Sequence, residues 1–394
     1  MTKPKSLLIG FSPDLGQALP FLLTRAGFEV EAVAGKPFVN YGTLISKQIE
    51  LEKLSDLPSK LDEIDLKIYD LIVVFDDISL REIVNSNLSL AKKLQLLPVL
   101  TAENFQHLGS KIALSKVLAE AQVRTPEFLV AQGLEQVIAA AQKLEFPVML
   151  KIDFSGGGDG TFECHNICDI RAINSLVFAA PLLVQKKITG PELDLSAFYQ
   201  NSQLIQFGYS WFEKVISKFG PSSLRTYEQL GVSCDAELFL QMQQLGKALG
   251  ADGFVNVSAI KSETDGKIYF FEADMRPNVW VDFTRIVGDD LALRMKNWFE
   301  KKAVLQFPIA VNCVFPAKIL VAHFLRISFR QILFNYCNVW KSLSAEDLCW
   351  IWQVWVVQKC KMFLRAFERN VRRSLLPKRE VRYRIKRWFV AGSC

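Results

Sequence analysis

The chain has 394 residues, of which 50% are hydrophobic and 22% charged, enough for two or three domains with buried cores and ordinary for a globular protein. That length excludes any need for a disulfide scaffold, and the eight cysteines show no paired spacing. The net charge of +6 hides an asymmetry: residues 291–394 carry 20 Lys and Arg against 5 Asp and Glu, while residues 1–290 carry 27 against 36.

In MTKPKSLLIGF the apolar run is too short for a signal-peptide core and is followed by Asp14, so no targeting segment is read there and a cytoplasmic protein with reduced thiols is expected. KSLLIGFS reads as a buried strand closed by a Ser-Pro-Asp turn, Leu15 to Ala26 as a helix, and FEVEAVAG as a second strand. YDLIVVFDD reads as a third strand ending in Asp76 and Asp77. Alternating strands and helices predict a small parallel α/β domain over residues 1–100. It has no G-x-G-x-x-G, so a dinucleotide site is not supported. The two carboxylates stand either at a ligand-binding strand end or in a solvated turn.

A single amphipathic helix is predicted from Asn104 to Gln122, containing Ser110-Lys111. After Pro126 come strand EFLVA, helix LEQVIAAAQKL and strand VMLKIDF, then KIDFSGGGDGTFE and the strand TFECHN. Cys164-His165-x-x-Cys168 offers two thiols and an imidazole without the second half of a structural zinc site. PLLVQKKI and LDLSAFYQ flank Thr189-Gly190-Pro191-Glu192, and GFVNVSAIKSE pairs with KIYFFEADMR across an Asp265-Gly266 turn as a hairpin. This second region is predicted to be an antiparallel-rich α+β fold.

In the glycine-rich stretch, Lys151 precedes Gly156, Gly157, Gly158 and Gly160, and a β-prone run follows. A Walker A or Rossmann loop opens a helix instead, so both are excluded. What remains is a strand–loop–strand. It is either a mobile hairpin or a loop whose backbone N–H groups approach an anion while Lys151 adds a point charge. In FFEADMR, strand alternation puts Glu272, Asp274 and Arg276 on one face. Two hard oxygen ligands and a guanidinium suit Mg²⁺ on polyphosphate oxygens; a solvated edge strand is the alternative.

The order of these features resembles the ATP-grasp family. It runs from a lysine near a helix start through a strand lysine with a glycine loop and a Gly-x-Glu to a strand with Glu-x-Asn-x-Arg. The resemblance covers about residues 1–300. It implies that Lys111 and Lys151 contact ATP phosphates under a lid formed by Gly156, Gly157, Gly158 and Gly160. It further implies that Gln185, Lys186, Lys187 and Ile188 form the hinge reading adenine and that Glu192 takes the ribose hydroxyls. Glu272 and Asp274 would hold Mg²⁺ or Mn²⁺, and Arg276 would sit at the transferring phosphate. The organisation implied is 1–100 as a pre-ATP-grasp α/β domain, 101–183 as the N-terminal half with the lid, 184–303 as the C-terminal half with the metal site, and 304–394 as a basic helical extension. Three positions depart from the pattern: Gln185 replaces an acid, Asp274 an asparagine, and Ser258 an upstream metal ligand, with neutral Asn256 two residues before it.

The activity implied is an ATP-dependent ligase that converts a carboxylate to an acylphosphate for attack by an amine or thiol, most often forming a carbon–nitrogen bond. No nucleophilic side chain is needed, nor any of His107, His165 and His323. A catalytically degenerate nucleotide-binding regulator is the alternative, on the strength of Ser258 and Gln185. Lys214, Lys218 and Arg225 are either substrate-binding cations or surface charges on a mobile segment. From Val304 onward, apolar and aromatic residues mix with Arg and Lys, and no window carries the ~18 uncharged apolar residues of a spanning helix. This tail reads as a helical appendage packed on the body or in a homo-oligomer interface, as a helix lying peripherally on the anionic inner face of a membrane, or as a scaffold there; nucleic-acid binding is a third reading, without a motif behind it.

Overall fold

In the computed structural model, residues 3–11, 15–16, 18–35, 44–156, 158, 160–215, 222–228, 236–278, 281–282, 284, 289–302 and 313–314 are described, all within the unit Met1–Val339. The first layer contains β1 (Lys5–Gly10), α1 (Leu19–Arg25), β2 (Glu29–Gly35), β3 (Lys47–Leu51), α2 (Leu57–Asp62), β4 (Leu71–Val74), α3 (Asp77–Asn85) and α4 (Leu90–Leu96). Its four strands run parallel in the order β3-β2-β1-β4, as the strand–helix alternation predicts. Strand β4 stops at Val74, so the two carboxylates are not a strand end. Asp76 is the N-cap of α3, its Oδ1 accepting the Ser79 N–H at 2.7 Å, and at 2% exposure it is no solvated turn residue. Asp77 is the first residue of α3.

The helix predicted from Asn104 to Gln122 is broken. A 3₁₀ turn covers Ala102–His107, Gly109 takes φ +80°, and Ser110 caps α5 (Lys111–Glu120) by accepting the Ala113 N–H at 3.0 Å. A left-handed residue suits glycine and stops one helix before the next begins. The break puts Lys111 in the first position of α5.

The second layer comprises β5 (Phe128–Ala131), α6 (Leu134–Leu144), β6 (Val148–Ile152), β7 (Thr161–Cys164), α7 (Ile167–Arg171) and β8 (Leu182–Lys186). The sheet is antiparallel, ordered β5-β8-β6-β7. Val148, Leu150, Leu182 and Val184 pack with Val137, Ile138, Ala141 and Leu144 of α6 in one core. Side chains alternate across a strand, so Met149, Lys151, Leu183 and Gln185 occupy the opposite face. Cys164 lies in the α6 core, where burial pushes its thiol up to about 11. Cys168 is exposed and His165 Nε2 lies 2.8 Å from Glu163 Oε1.

The third layer holds β9 (Glu192–Gln200), β10 (Gln203–Val215), β11 (Ser222–Glu228), α8 (Ala236–Leu249), β12 (Gly253–Lys261), β13 (Ile268–Asp274), α9 (Leu291–Phe299) and β14 (Cys313–Val314). It is a six-stranded antiparallel sheet, ordered β13-β12-β9-β10-β11-β14. Leu193, Leu195, Ala197, Val255, Val257 and Phe270 face a core that includes Leu238, Met242 and Leu245 of α8 and reaches Leu7, Ile9 and Val74 of the first sheet. Much of the stretch read as a mobile connection is thus β10 and β11. Lys218, the side chains of Lys214 and Arg225, Gly157, and the tail from Val304 apart from the backbone of β14 lie outside the described residues. No helix among the described residues is long and apolar enough to cross a membrane.

Strand β13 departs from simple alternation. Ser258 pairs with Glu272 but Ala259 pairs with Phe270, leaving Phe271 as an extra residue between them. Such a bulge shifts the alternation by one. Phe270 is therefore fully buried in the core, while Glu272 and Asp274 turn to the other face beside Ser258 and Asn256.

Candidate functional site

The second and third layers meet at Lys151. Its side chain is 7% exposed, and its Nζ stands 4.7 Å from the centroid of the Phe271 ring, the bulged residue of β13, within cation–π range. Burial lowers the Lys151 pKa from 10.5 to about 8; Glu272 and Glu192 oppose this shift and Lys111 reinforces it. Two lysines and two acids from four different elements thus feel one another at this point.

Lys111 reaches the loop between β6 and β7 from the start of α5. Its Nζ donates to the Ser155 carbonyl and, at 3.3 Å, to the Ser155 Oγ. Asp153 ties the same helix start to the loop: its Oδ1 accepts the Ile112 N–H at 3.2 Å and its carboxylate accepts the Ser110 hydroxyl. The loop is the strand–loop–strand expected. The Ile152 N–H donates to the Gly160 carbonyl at 2.9 Å, and Gly158 and Gly160 take φ +84° and +74°, which glycine adopts without strain. Phe154 takes φ +52° and its carbonyl accepts from Arg81 of α3 at 3.1 Å.

At the hinge, Gln185 is 1% exposed and its Nε2 has no hydrogen-bond partner among the described residues. The Lys186 side chain turns away to Glu145 at 3.3 Å, and its backbone N–H is taken by the Glu127 carbonyl at 2.8 Å. Ile188 follows β8 in the turn toward β9. Gly190 in that turn has φ +154°, and a Cβ there would lie 1.9 Å from the Lys261 carbonyl oxygen. Only glycine lets the turn press against the end of β12, and this fixes Glu192 at the first position of β9. Burial, with help from Asp194, raises the Glu192 pKa, which Lys151 opposes.

On the face of the third sheet, Asp194, Ser258 and Glu272 lie side by side on β9, β12 and β13, and the Ser258 hydroxyl donates to Asp194 Oδ1 at 3.0 Å. The Asp274 Oδ2 accepts from Asn256 Nδ2 at 3.4 Å and from Arg276 Nη2 at 2.7 Å. Burial raises the Asp274 pKa from 3.8 to about 7; Arg276 opposes the rise, while Glu272 and Asp77 add to it. Burial works against the Arg276 charge, but Asp274 and Asp77 outweigh it and hold the guanidinium above its ordinary value. Arg276 Nε lies 2.7 Å from Asp77 Oδ2, which carries α3 of the first layer into the site.

The structure therefore brings together Lys111, Lys151, Glu192, Glu272, Asp274 and Arg276, and sets Gln185 on the same sheet face as Lys151. The sequence reading missed Asp194, the loop anchor Asp153, and Asn278, whose Nδ2 donates to Asn256 Oδ1 at 2.9 Å. Asn278 carried a signal: it continues the every-second-residue polar series of Glu272, Asp274 and Arg276. Asp77 was weighed as a strand end and not as a partner of Arg276, 199 positions away.

Carboxylates outnumber cations among the groups that meet here: Glu192, Asp194, Glu272, Asp274 and Asp77 against Lys111, Lys151 and Arg276. Among the described residues no group of three or more such side chains is arranged to hold a metal ion, so any divalent cation such as Mg²⁺ would rest on a pair of hard oxygen ligands. Glu272 and Asp274 would hold it.

No family model matches the chain. It is 24% identical over 296 residues to the carbamoyl phosphate synthase arginine-specific large chain of Geobacillus stearothermophilus, an alignment covering 70% of this chain and only 27% of that protein. Among solved structures it superposes on N5-carboxyaminoimidazole synthetase from Staphylococcus aureus complexed with ADP, with a TM-score of 0.61, 15% identity and coverage of 82% of this chain and 86% of that one. It also superposes on the biotin carboxylase domain of Hydrogenobacter thermophilus 2-oxoglutarate carboxylase, with a TM-score of 0.62 and 15% identity over 80% and 74% of the two chains. Superposition over about four fifths of this chain shows one shared architecture: the chain has the ATP-grasp fold.

Proposed function

We infer that the protein is an ATP-dependent ligase that activates a small-molecule carboxylate as an acylphosphate for attack by an amine or thiol, with carbon–nitrogen bond formation the favoured outcome. The observation that carries this reading is Lys151, a buried cation on the inner face of one sheet, opposite acids on the inner face of the other. The similarity to a carbamoyl phosphate synthase chain and to an ADP-bound carboxyaminoimidazole synthetase supports the same reaction class.

The substrate carboxylate oxygen attacks the γ-phosphorus of ATP, the bond to the β-phosphate oxygen breaks, and ADP leaves. The amine nitrogen or thiol sulfur then attacks the acyl carbon, inorganic phosphate departs, and the nucleophile loses its proton. Lys111 and Lys151 hold the phosphates, and Arg276 neutralises charge on the group in flight. Glu272 and Asp274 would hold Mg²⁺ or Mn²⁺, which would supply positive charge to offset that of the phosphates. The loop of Gly156, Gly157, Gly158 and Gly160 covers the phosphates and excludes water. Glu192 takes the ribose hydroxyls, and the hinge from Gln185 to Ile188 takes the base. A cytoplasmic setting fits ATP and small-molecule substrates.

The test is ADP release by the full chain with ATP and Mg²⁺ against a panel of carboxylates with and without amines. Release that requires a carboxylate and disappears in Lys151→Ala is the expected result. Nucleotide binding without carboxylate-dependent release across the panel would favour a nucleotide-binding regulator and sink the ligase reading.

A further inference from the structure

Helix α3 belongs to the first layer, yet two of its side chains reach the other two. Its start is fixed on the first sheet: the buried Asp76 caps it, and the Ser79 Oγ accepts the Phe11 N–H, just past β1, at 3.0 Å. One turn after Asp77, Arg81 donates to the Phe154 carbonyl at 3.1 Å, and its guanidinium carbon stands 5.9 Å from the centroid of the Phe154 ring. Residues four apart share a helix face. Asp77 and Arg81 therefore lie on one face of α3, and Asp77 presents its carboxylate from a helix anchored on both sides of it.

That carboxylate decides how Arg276 is used. A guanidinium has five N–H donors, two on each Nη and one on Nε. Here Nη2 donates to Asp274 Oδ2 at 2.7 Å and Nη1 to the Pro277 carbonyl at 3.3 Å, while Nε stands 2.7 Å from Asp77 Oδ2. Among the described residues, one N–H on each Nη is left for a ligand. An arginine beside a single carboxylate settles readily into a fork of two parallel bonds, and Asp274, two residues back, is within reach for one. Asp77 stands at the Nε end, where the second oxygen of a side-on fork would go, so Asp274 engages one nitrogen only. We propose that Asp77 is a positioning residue: it keeps Arg276 from closing on Asp274 and so leaves an N–H on each Nη for the terminal phosphate of ATP. The proposal rests on the reading of the cleft as a triphosphate site. It runs against the simple electrostatic expectation, because removing a negative charge from the cleft should by itself tighten the binding of any phosphate.

Calorimetry of ATP and of ADP binding to the full chain in Mg²⁺ reads the bond to the terminal phosphate as the ratio of the two affinities. The wild type is expected to favour ATP. Asp77→Asn keeps the size of a side chain that is 53% exposed and removes its charge. It is expected to lower the preference for ATP about tenfold, the lower end for one hydrogen bond to a charged group, with ADP binding no weaker than before. In the Arg276→Met background, which has no guanidinium to position, adding Asp77→Asn is expected to leave the ratio where it is. Equal binding of ATP and ADP by the wild type overturns the proposal. So does an Asp77→Asn variant that binds both nucleotides more tightly, or both more weakly, by one factor, because Asp77 would then be a counter-charge or a structural contact. A fall in the ratio that recurs in the Arg276→Met background also overturns it, by placing the effect of Asp77 on another group. Absence of binding by either nucleotide to the wild type overturns the triphosphate reading itself, a different result from equal binding.

Discussion

The pKa of Lys151 gives the most direct handle on the site. Free lysine titrates near 10.5, and burial brings this side chain to about 8 despite the nearby Glu272 and Glu192. At ~1.4 kcal/mol per pKa unit, holding the cation in the folded chain costs about 3 kcal/mol. The sign follows from proton counting. Below pH 8 both folded and unfolded chains carry the proton, so the penalty is present in full. Between 8 and 10.5 the folded chain has lost the proton while the unfolded chain keeps it, so this group's contribution to stability rises with pH. Lys151→Met is therefore expected to be more stable than the wild type at pH 7 by up to about 3 kcal/mol, an advantage that shrinks as pH approaches 10.

Nucleotide reverses the balance. A triphosphate against Nζ restores the proton, so binding should take up about 0.1 proton at pH 7, about 0.5 at pH 8 and about 0.9 at pH 9. Calorimetry of ATP binding in buffers of different ionisation enthalpy reads these values directly. Lys151→Arg keeps a charge that does not titrate in this range and should abolish the pH-dependent part. Uptake that is flat from pH 7 to 9, or that survives unchanged in Lys151→Arg, would refute the assignment of Lys151 to the phosphates.

Three further outcomes are expected. Gly190→Ala places a Cβ 1.9 Å from the Lys261 carbonyl oxygen and should lower stability by about 2 kcal/mol or more; an unchanged denaturation midpoint would contradict the close approach. His107 is buried and its pKa is held below 6.5, chiefly by burial; unfolding therefore takes up a proton as pH falls through 6.5, so stability should drop on acidification, and the drop from pH 7 to 5 should be smaller in His107→Gln, as read by urea denaturation. Glu272→Gln should weaken ATP binding in Mg²⁺ by about tenfold or more, the lower bound being the loss expected for even an outer partner of a metal ligand, and should leave binding in EDTA unchanged; equal weakening in both conditions would place Glu272 elsewhere than on the metal.

Local rules made much of this fold legible, and each failure has a local cause. Helix α6 has the bounds that its apolar spacing predicts, because Gly133 before it and the Phe146-Pro147 pair after it punctuate a clean period. The Asn104–Gln122 segment keeps a helical pattern through Gly109, and only the backbone reveals that this glycine is left-handed and hands the capping role to Ser110. Alternation correctly grouped Glu272 with Asp274, but applied strictly it would have added Phe270 to the same face. The bulge at Phe271 exempts Phe270, and nothing in FFEAD announces where the extra residue falls. The contacts that make the site, Lys151 with Phe271 and Asp77 with Arg276, join segments that only tertiary packing brings together.

The perturbed groups also constrain what the site accepts. Had Lys151 and the acids simply neutralised one another, the lysine pKa would be raised and the carboxylates lowered. Instead Lys151 is lowered while Glu192 and Asp274 are raised, so desolvation outweighs mutual attraction on both sheets. A purely anionic ligand would relieve Lys151 and worsen the carboxylates, and a bare cation would do the reverse. A polyphosphate that carries its own divalent metal would relieve both. Under the ligase reading proposed above, this two-sign requirement, more than any one residue, would favour a metal–triphosphate over a sugar, a free anion or a nucleic-acid backbone.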